Sequence, residues 1–278
     1  LHHNRLTTPL WREHTDQPFA PISWERAFDL LVARIRDTLA ARGPSGLAIY
    51  GSGQFLSEDY YVANKLLKGA LGSNNFDANS RLCMSSAVAG YARSLGSDGP
   101  PGCYDDLDLA DLVLLIGTNT ADCHPVLFQR LLKRKRKQPD ALRLVVVDPR
   151  ATATADAADL HLAIQPGTDL VLLHGIGHLL LELQALDHPF IAAHTEGYGE
   201  LEALWRQWTP QRVSQLCGIA EADLRQLARW WGEAAGVLSL WSMGVNQSRE
   251  GTATVGGIIN LHVVTGQIGR PGADASII

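Results

Sequence analysis

Three runs of apolar residues do most to limit what this chain can fold into: Leu112–Ile116, Leu142–Val147 and Val237–Trp241. Each ends in a polar turn that leads into a segment of helical period. Short, nearly continuous apolar runs between turn signals read as strands buried on both faces. Leu47–Tyr50 and His161–Ile164 are shorter runs of the same kind. Between them the helical segments are clear. Ser23 reads as an N-cap, with Phe28, Leu31, Ile35 and Leu39 at helical spacing and Gly43 as the stop. Further helices are expected over 57–70, 85–95, 124–137, 169–184, much of 187–234, and a glycine-rich stretch ending near Gly266. A polar loop is expected over 73–80. Strand, loop and helix therefore repeat about five times. The fold class is α/β, with parallel sheets and helices on both faces. A break near residue 80 divides two α/β units. Residues 1–80 form an incomplete first unit with an irregular N-terminal segment. Residues 81–278 form a second, dinucleotide-binding-like unit with a return segment.

A net charge of −5 argues against nucleic acid as a partner. The one basic run, Lys133–Lys137, closes an expected helix, where cations suit the C-terminal dipole. No apolar run is long enough to span a membrane. Trp205, Trp208, Trp230 and Trp231 fall at helical spacing and read as core, and His124 reads as a helix-start packing residue. The stretch before Ile278, Gly-Arg-Pro-Gly-Ala-Asp, is turn-rich and resembles the middle of a protein. The expectation is a piece of a longer chain.

The expected strands all end in loops rich in Gly, Asn, Thr, Asp, Arg or Gln. Ligands of open parallel sheets bind at the carboxyl ends of strands, where glycine lets backbone N–H groups approach a phosphate. Gly117-Thr118-Asn119 is such a loop. Asp148 and Asp169, at later strand ends, could accept hydrogen bonds from a ribose or a base. No G-x-G-x-x-G is present, and Gly117 to Asp148 is longer than the usual dinucleotide spacing. The four cysteines, Cys83, Cys103, Cys123 and Cys217, show neither C-x-x-C nor zinc spacing. Cys83 follows a polar loop and precedes small residues. Its thiol could serve as a nucleophile, a soft metal ligand or a small buried hydrophobe.

Six strings carry a resemblance, in order, over nearly the whole chain. They are Asn79-Ser-Arg-Leu-Cys83-Met84, Cys103-Tyr-Asp-Asp106, Gly117-Thr-Asn-Thr-Ala-Asp-Cys-His-Pro125, Asp148-Pro-Arg150, Pro166-Gly-Thr-Asp169 and Met243-Gly-Val-Asn-Gln247. Together they resemble the molybdopterin-guanine-dinucleotide oxidoreductases, most closely the assimilatory nitrate reductases. The resemblance implies two α/β units of that fold and a molybdenum bis(molybdopterin guanine dinucleotide) cofactor. It makes Cys83 the protein thiolate on the metal, with four more sulfurs from the two pterins. Met84, Met243 and Gln247 line the metal pocket, and Gln54 and Asn79 touch the cofactor beside the metal. Gly117, Thr118 and Asn119 cradle a phosphate-bearing arm. Asp148, Arg150, Gly167, Thr168 and Asp169 hold a guanosine end. Arg81, Arg93 or Arg150 would help offset an anionic substrate or the phosphates.

By the same resemblance, nitrate is the substrate and a ferredoxin, a flavodoxin or a reductase subunit is the electron donor. The compartment is cytoplasmic. The parent protein carries an iron–sulfur cluster, for which these residues offer no ligand set, and the piece alone is inactive. Met84 after the ligand favours nitrate over formate. A formate dehydrogenase subunit, a non-catalytic relative of the same fold, and a plain nucleotide-binding module are the alternatives.

Overall fold

The computed structural model describes residues 5–278, which divide into two compact units, one ending at Arg81 and the other spanning Leu82–Ile278. In the first, a two-residue antiparallel pair, β1 (Leu10–Trp11) with β2 (Ala20–Pro21), precedes α1 (Trp24–Arg42). The Ser23 hydroxyl accepts from Arg26 N, and Leu39 O accepts from Gly43 N, where the helix stops. Helix α1 buries none of its residues, and Phe28 and Leu31 remain more than half exposed. The next strand is β3 (Ile49–Gly51), followed by α2 (Ser57–Asn64), whose last turns over Lys65–Ala70 are wider. The expected polar loop over 73–80 holds a strand instead, β4 (Phe76–Ala78), parallel to β3. Phe-Asp-Ala carries no apolar period; backbone pairing with β3 makes it a strand, and that signal is not local. The division between units falls within a one-turn helix, α3 (Ser80–Cys83).

The second unit begins with α4 (Ser85–Leu95) and β5 (Leu112–Ile116). A one-turn helix, α5 (Thr120–Cys123), and α6 (Pro125–Lys137) follow, then β6 (Arg143–Val147) and β7 (Leu160–Leu162). Five helices come next: α7 (Asp169–Glu182), α8 (His188–His194), α9 (Tyr198–Trp205), α10 (Pro210–Cys217) and α11 (Glu221–Glu233). Then come β8 (Val237–Trp241), the one-turn α12 (Met243–Asn246), α13 (Gly251–Val264) and β9 (Asp274–Ile277). The sheet is all parallel, in the order β7-β6-β5-β8-β9. Strand order reverses between β5 and β8, which opens a crevice at their carboxyl ends.

The Leu47–Tyr50 run lies in the β3–β4 pair of the first unit, and the larger sheet has a fifth strand that was not expected, β9, which begins at the end of the turn-rich stretch. Half of β9 is polar. Asp274, 1% exposed, is held there because one of its oxygens accepts from Gly102 N and Ser276 Oγ.

Alternation along the strands supplies two cores. Leu112, Leu114, Ile116, Val145, Val147 and Trp241 face α4, α7, α10, α11 and α13. Val113, Leu115, Leu144, Val146, Leu238 and Leu240 face α6 through Phe128 and Leu131. Trp205 and Trp231 are fully buried, and Trp208 and Trp230 pack against the same core, as their spacing indicates. The basic run ends α6 and is partly paired: Arg134 donates to Leu107 O, and Lys135 pairs with Asp159.

One buried histidine makes stability depend on pH. His262 is fully buried between Ser239 Oγ (2.7 Å) and Gln267 O (2.8 Å), with Trp231 edge-on. Burial disfavours its charged form and pushes its pKa down to about 4, against a bond to Gln267 O that acts the other way. The contribution of neutral His262 is complete above the ordinary histidine pKa, roughly 6.5, and is lost as pH falls toward 4. The expected loss is about 3 kcal/mol by pH 4. Urea midpoints should fall across this window in the parent and much less in His262→Gln, which should already be less stable at pH 7. Parallel pH profiles for the two proteins would remove His262 from this role.

Candidate active site

The crevice at the strand-order reversal is a cavity of about 360 Å³. Four strand ends build it. The turn after β5 contributes Gly117, Thr118, Asn119 and Cys123; the turn after β6 contributes Asp148, Pro149 and Arg150. Ile164, Pro166, Gly167 and Asp169 come from the segment between β7 and α7, and Ser242, Met243 and Gly244 from the turn after β8.

The β5 turn is stiff. Gly117 has φ +61°, in the left-handed region, and its carbonyl accepts from Gly244 N at 2.9 Å. A Cβ there would stand 2.8 Å from Val245 N, so glycine is what lets the β5 and β8 turns touch. Thr118 is buried, its hydroxyl 3.3 Å from that of Thr120. The Asn119 side chain is held at both ends: its Oδ1 accepts from Thr154 Oγ1 (2.8 Å) and its Nδ2 donates to Asp122 (2.6 Å).

On the far side, Asp148 is buried and accepts from Arg150 N at 2.8 Å, and its carbonyl lies 2.8 Å from His161 Nε2. The Arg150 guanidinium is 3.7 Å from the Asp148 carboxylate and mostly exposed. Thr168 closes the next turn by donating to Gln165 O (2.7 Å). Burial, with a smaller contribution from Asp148, raises the pKa of Asp169 at the start of α7. Among the described residues no cation pairs with Asp169, so its carboxylate is available to a donor-bearing ligand. Gly167, φ +86°, has nothing within 4 Å of where its Cβ would stand, so the cavity wall is open there.

Cys83 ends α3 and is partly exposed. Gln247 Nε2 donates to its sulfur at 3.1 Å, and Asn246 Nδ2 donates to its carbonyl at 2.6 Å. Met243, 44% exposed, opens α12 on the cavity, and Gln247 directly follows α12. One helical turn therefore joins the cavity wall to the cysteine. Met84 is placed differently from the expectation: it packs against the core, with its sulfur 3.9 Å from Asn246 Nδ2. The reason is local, since Met84 is the N-cap of α4, a helix that buries Ala87 and Tyr91.

Gln54 and Asn79 belong to the first unit. There Gly53 N donates to the Asn79 side-chain oxygen, and Gln54 N donates to Ser52 Oγ. Of the three candidate cations only Arg150 lines the cavity. Arg81 pairs with Asp77 inside the first unit, and Arg93 lines a different hollow with Phe190 and His194. Sequence reasoning missed Asn246, Ser242 and Thr154. Asn246 lay inside a quoted string, and Thr154 is polar yet fully buried, a mismatch visible only in three dimensions.

Among the described residues no three His, Cys, Asp or Glu side chains converge as a metal site. A metal on Cys83 would thus take its other ligands from a cofactor. The soft thiol, the glycine-lined wall and the unpaired Asp169 fit a nucleotide-bearing, sulfur-donating group.

The family model described as Molybdopterin oxidoreductase matches residues 5–277. A nitrate reductase of Synechocystis sp. is 54% identical over 97% of this chain and 38% of its own length. The periplasmic nitrate reductase of Desulfovibrio desulfuricans is 42% identical over 97% of this chain and 37% of its own. Among solved structures, acetylene hydratase from Pelobacter acetylenicus superposes with a TM-score of 0.77 at 22% identity, over 98% of this chain and 37% of that one. That likeness concerns the fold. The chain spans less than two fifths of the length of these relatives.

Proposed function

The chain belongs to the molybdopterin oxidoreductase family, and from that premise we propose that it is the cofactor-holding part of an enzyme that reduces nitrate to nitrite. The observation that carries this reading is the joining, through α12, of a nucleotide-sized crevice to a partly exposed cysteine. The names of the relatives support nitrate. Formate oxidation has less support, because by resemblance the formate dehydrogenases usually carry His where this chain has Met84.

The group proposed here is molybdenum bis(molybdopterin guanine dinucleotide). When bound, it supplies a two-electron couple and an acceptor for the oxygen atom that nitrate loses. The balance requires two electrons and two protons from outside, and water leaves. An iron–sulfur cluster and a donor of the ferredoxin, flavodoxin or reductase-subunit class would supply the electrons. Assimilatory, cytoplasmic use belongs to the same proposal and rests on the sequence resemblance.

The residues of this chain bind and orient. Cys83 offers a thiolate to the metal. Backbone around Gly117, with Thr118 and Asn119, lines the path of a phosphate-bearing arm. Asp148 and Asp169 accept N–H or O–H groups at the guanosine end, and Gly167 leaves room for it. Met243 presents an apolar wall.

Two experiments test this. The full-length protein, given reduced viologen, should form nitrite from nitrate and leave formate unoxidised; formate oxidation without nitrite formation would reverse the assignment. Asp169→Ala should weaken retention of the guanine dinucleotide by about 2 kcal/mol, roughly thirtyfold, as for other hydrogen bonds to a charged group. Retention in the parent should also decline on acidification, because protonating Asp169 removes an acceptor. Unchanged nucleotide content after dialysis of the variant would count against Asp169.

A further inference from the structure

We propose that Asn246 and Gln247 are positioning residues for the Cys83 sulfur: Asn246 fixes the backbone that carries the side chain, and Gln247 holds an N–H on the sulfur itself. The proposal rests on Cys83 being the metal ligand.

Two adjacent residues grip both ends of a third. Asn246 Nδ2 donates to Cys83 O at 2.6 Å, and Gln247 Nε2 donates to Cys83 Sγ at 3.1 Å. With carbonyl and sulfur both held, the orientation of the side chain is fixed. Asn246 is only 2% exposed, and among the described residues its buried Oδ1 has no partner. A buried amide that leaves one end unsatisfied is costly, and packing alone does not call for it. Among the described residues the only bonds that its side chain makes are to Cys83 O and, more weakly, to Met84 Sδ.

The grip is anchored at its other end. Val245 is fully buried, and Gly244 N donates to Gly117 O at 2.9 Å. The sulfur is thereby tied to the turn that lines the crevice. An N–H on a metal-bound thiolate withdraws electron density from sulfur, a recognised means of setting a metal's potential. Without it, sulfur donates more strongly and the oxidised metal is favoured.

The test uses the full-length, cofactor-loaded enzyme. Gln247 is exposed, so Gln247→Leu removes the N–H with little burden on folding. Asn246→Asp keeps shape and removes the donor. Both should retain molybdenum, and both should lose about 10- to 100-fold in kcat/KM. Gln247→Leu should shift the Mo(VI)/Mo(V) midpoint to lower potential. Asn246→Asp should change the hyperfine coupling of the Cys83 β-protons in the Mo(V) resonance spectrum, because that coupling follows the side-chain dihedral. If Gln247→Leu leaves the midpoint where it was, and Asn246→Asp leaves the coupling where it was, the proposal is wrong. Cys83→Ala, which offers no ligating atom, separates the two levels. Coupling that vanishes in Cys83→Ala upholds the ligand, so unmoved variants then overturn this proposal alone. Coupling that survives Cys83→Ala overturns the ligand assignment and this proposal with it.

Discussion

Cys83→Ser in the full-length enzyme is expected to abolish nitrate reduction, by more than about a hundredfold, while the fold stays intact. The structural side is simple. Cys83 ends a one-turn helix, is partly exposed, and lies outside both apolar cores, so exchanging sulfur for oxygen opens no cavity. The chemical side is larger. Serine offers a hard, weakly acidic hydroxyl where a soft thiolate is needed, and removing a metal ligand should exceed the 10- to 100-fold cost typical of groups that only support one. Nitrite formation, molybdenum content and circular dichroism report the three quantities separately. Near-parental activity with normal molybdenum would overturn the role of Cys83. A lost dichroism signal would show that its role is structural.

Which parts could be read in advance follows from what is local. The runs Leu112–Ile116 and Val237–Trp241 appear as strands at those residues, because burial on both faces leaves a continuous apolar signature. Helix α1 starts and stops where Ser23 and Gly43 indicate. Strands β4 and β9 were not legible. One residue in three of β4 and half of β9 are polar, and each exists because another strand, β3 or β8, satisfies its backbone. Asp274 reads as a surface residue until Gly102, far away in sequence, is seen to satisfy it. The cavity residues from Gly117 to Asp169 were legible as strand-end turns, and the structure brings Asp148, Gly167 and Asp169 together. Side-chain direction was not legible. Met84 and Met243 look alike in sequence, yet one packs into the core and the other faces the crevice.

Gly117→Ala should cost about 3 kcal/mol of stability, whereas Gly167→Ala should cost about 1. Both glycines hold positive φ, +61° and +86°, so both substitutions incur the left-handed strain of about 1–2 kcal/mol. They differ in what the new methyl meets. At Gly167 nothing lies within 4 Å, while at Gly117 the methyl stands 2.8 Å from Val245 N and 2.9 Å from Gly244 C. Those are backbone atoms that cannot rotate away, so the β8 turn itself must shift, and overpacking adds a further 1–3 kcal/mol. The shift also has a functional consequence. It strains the Gly244 N to Gly117 O bond and displaces α12, which carries Met243 on the crevice and leads into the Gln247 bond to Cys83. Gly117→Ala should therefore lose cofactor even where the protein remains folded. Urea midpoints paired with molybdenum content after gel filtration measure both effects. Equal destabilisation by the two alanines would show that φ strain alone governs Gly117, and full cofactor retention in a destabilised Gly117→Ala would break the proposed link between that turn and the metal site.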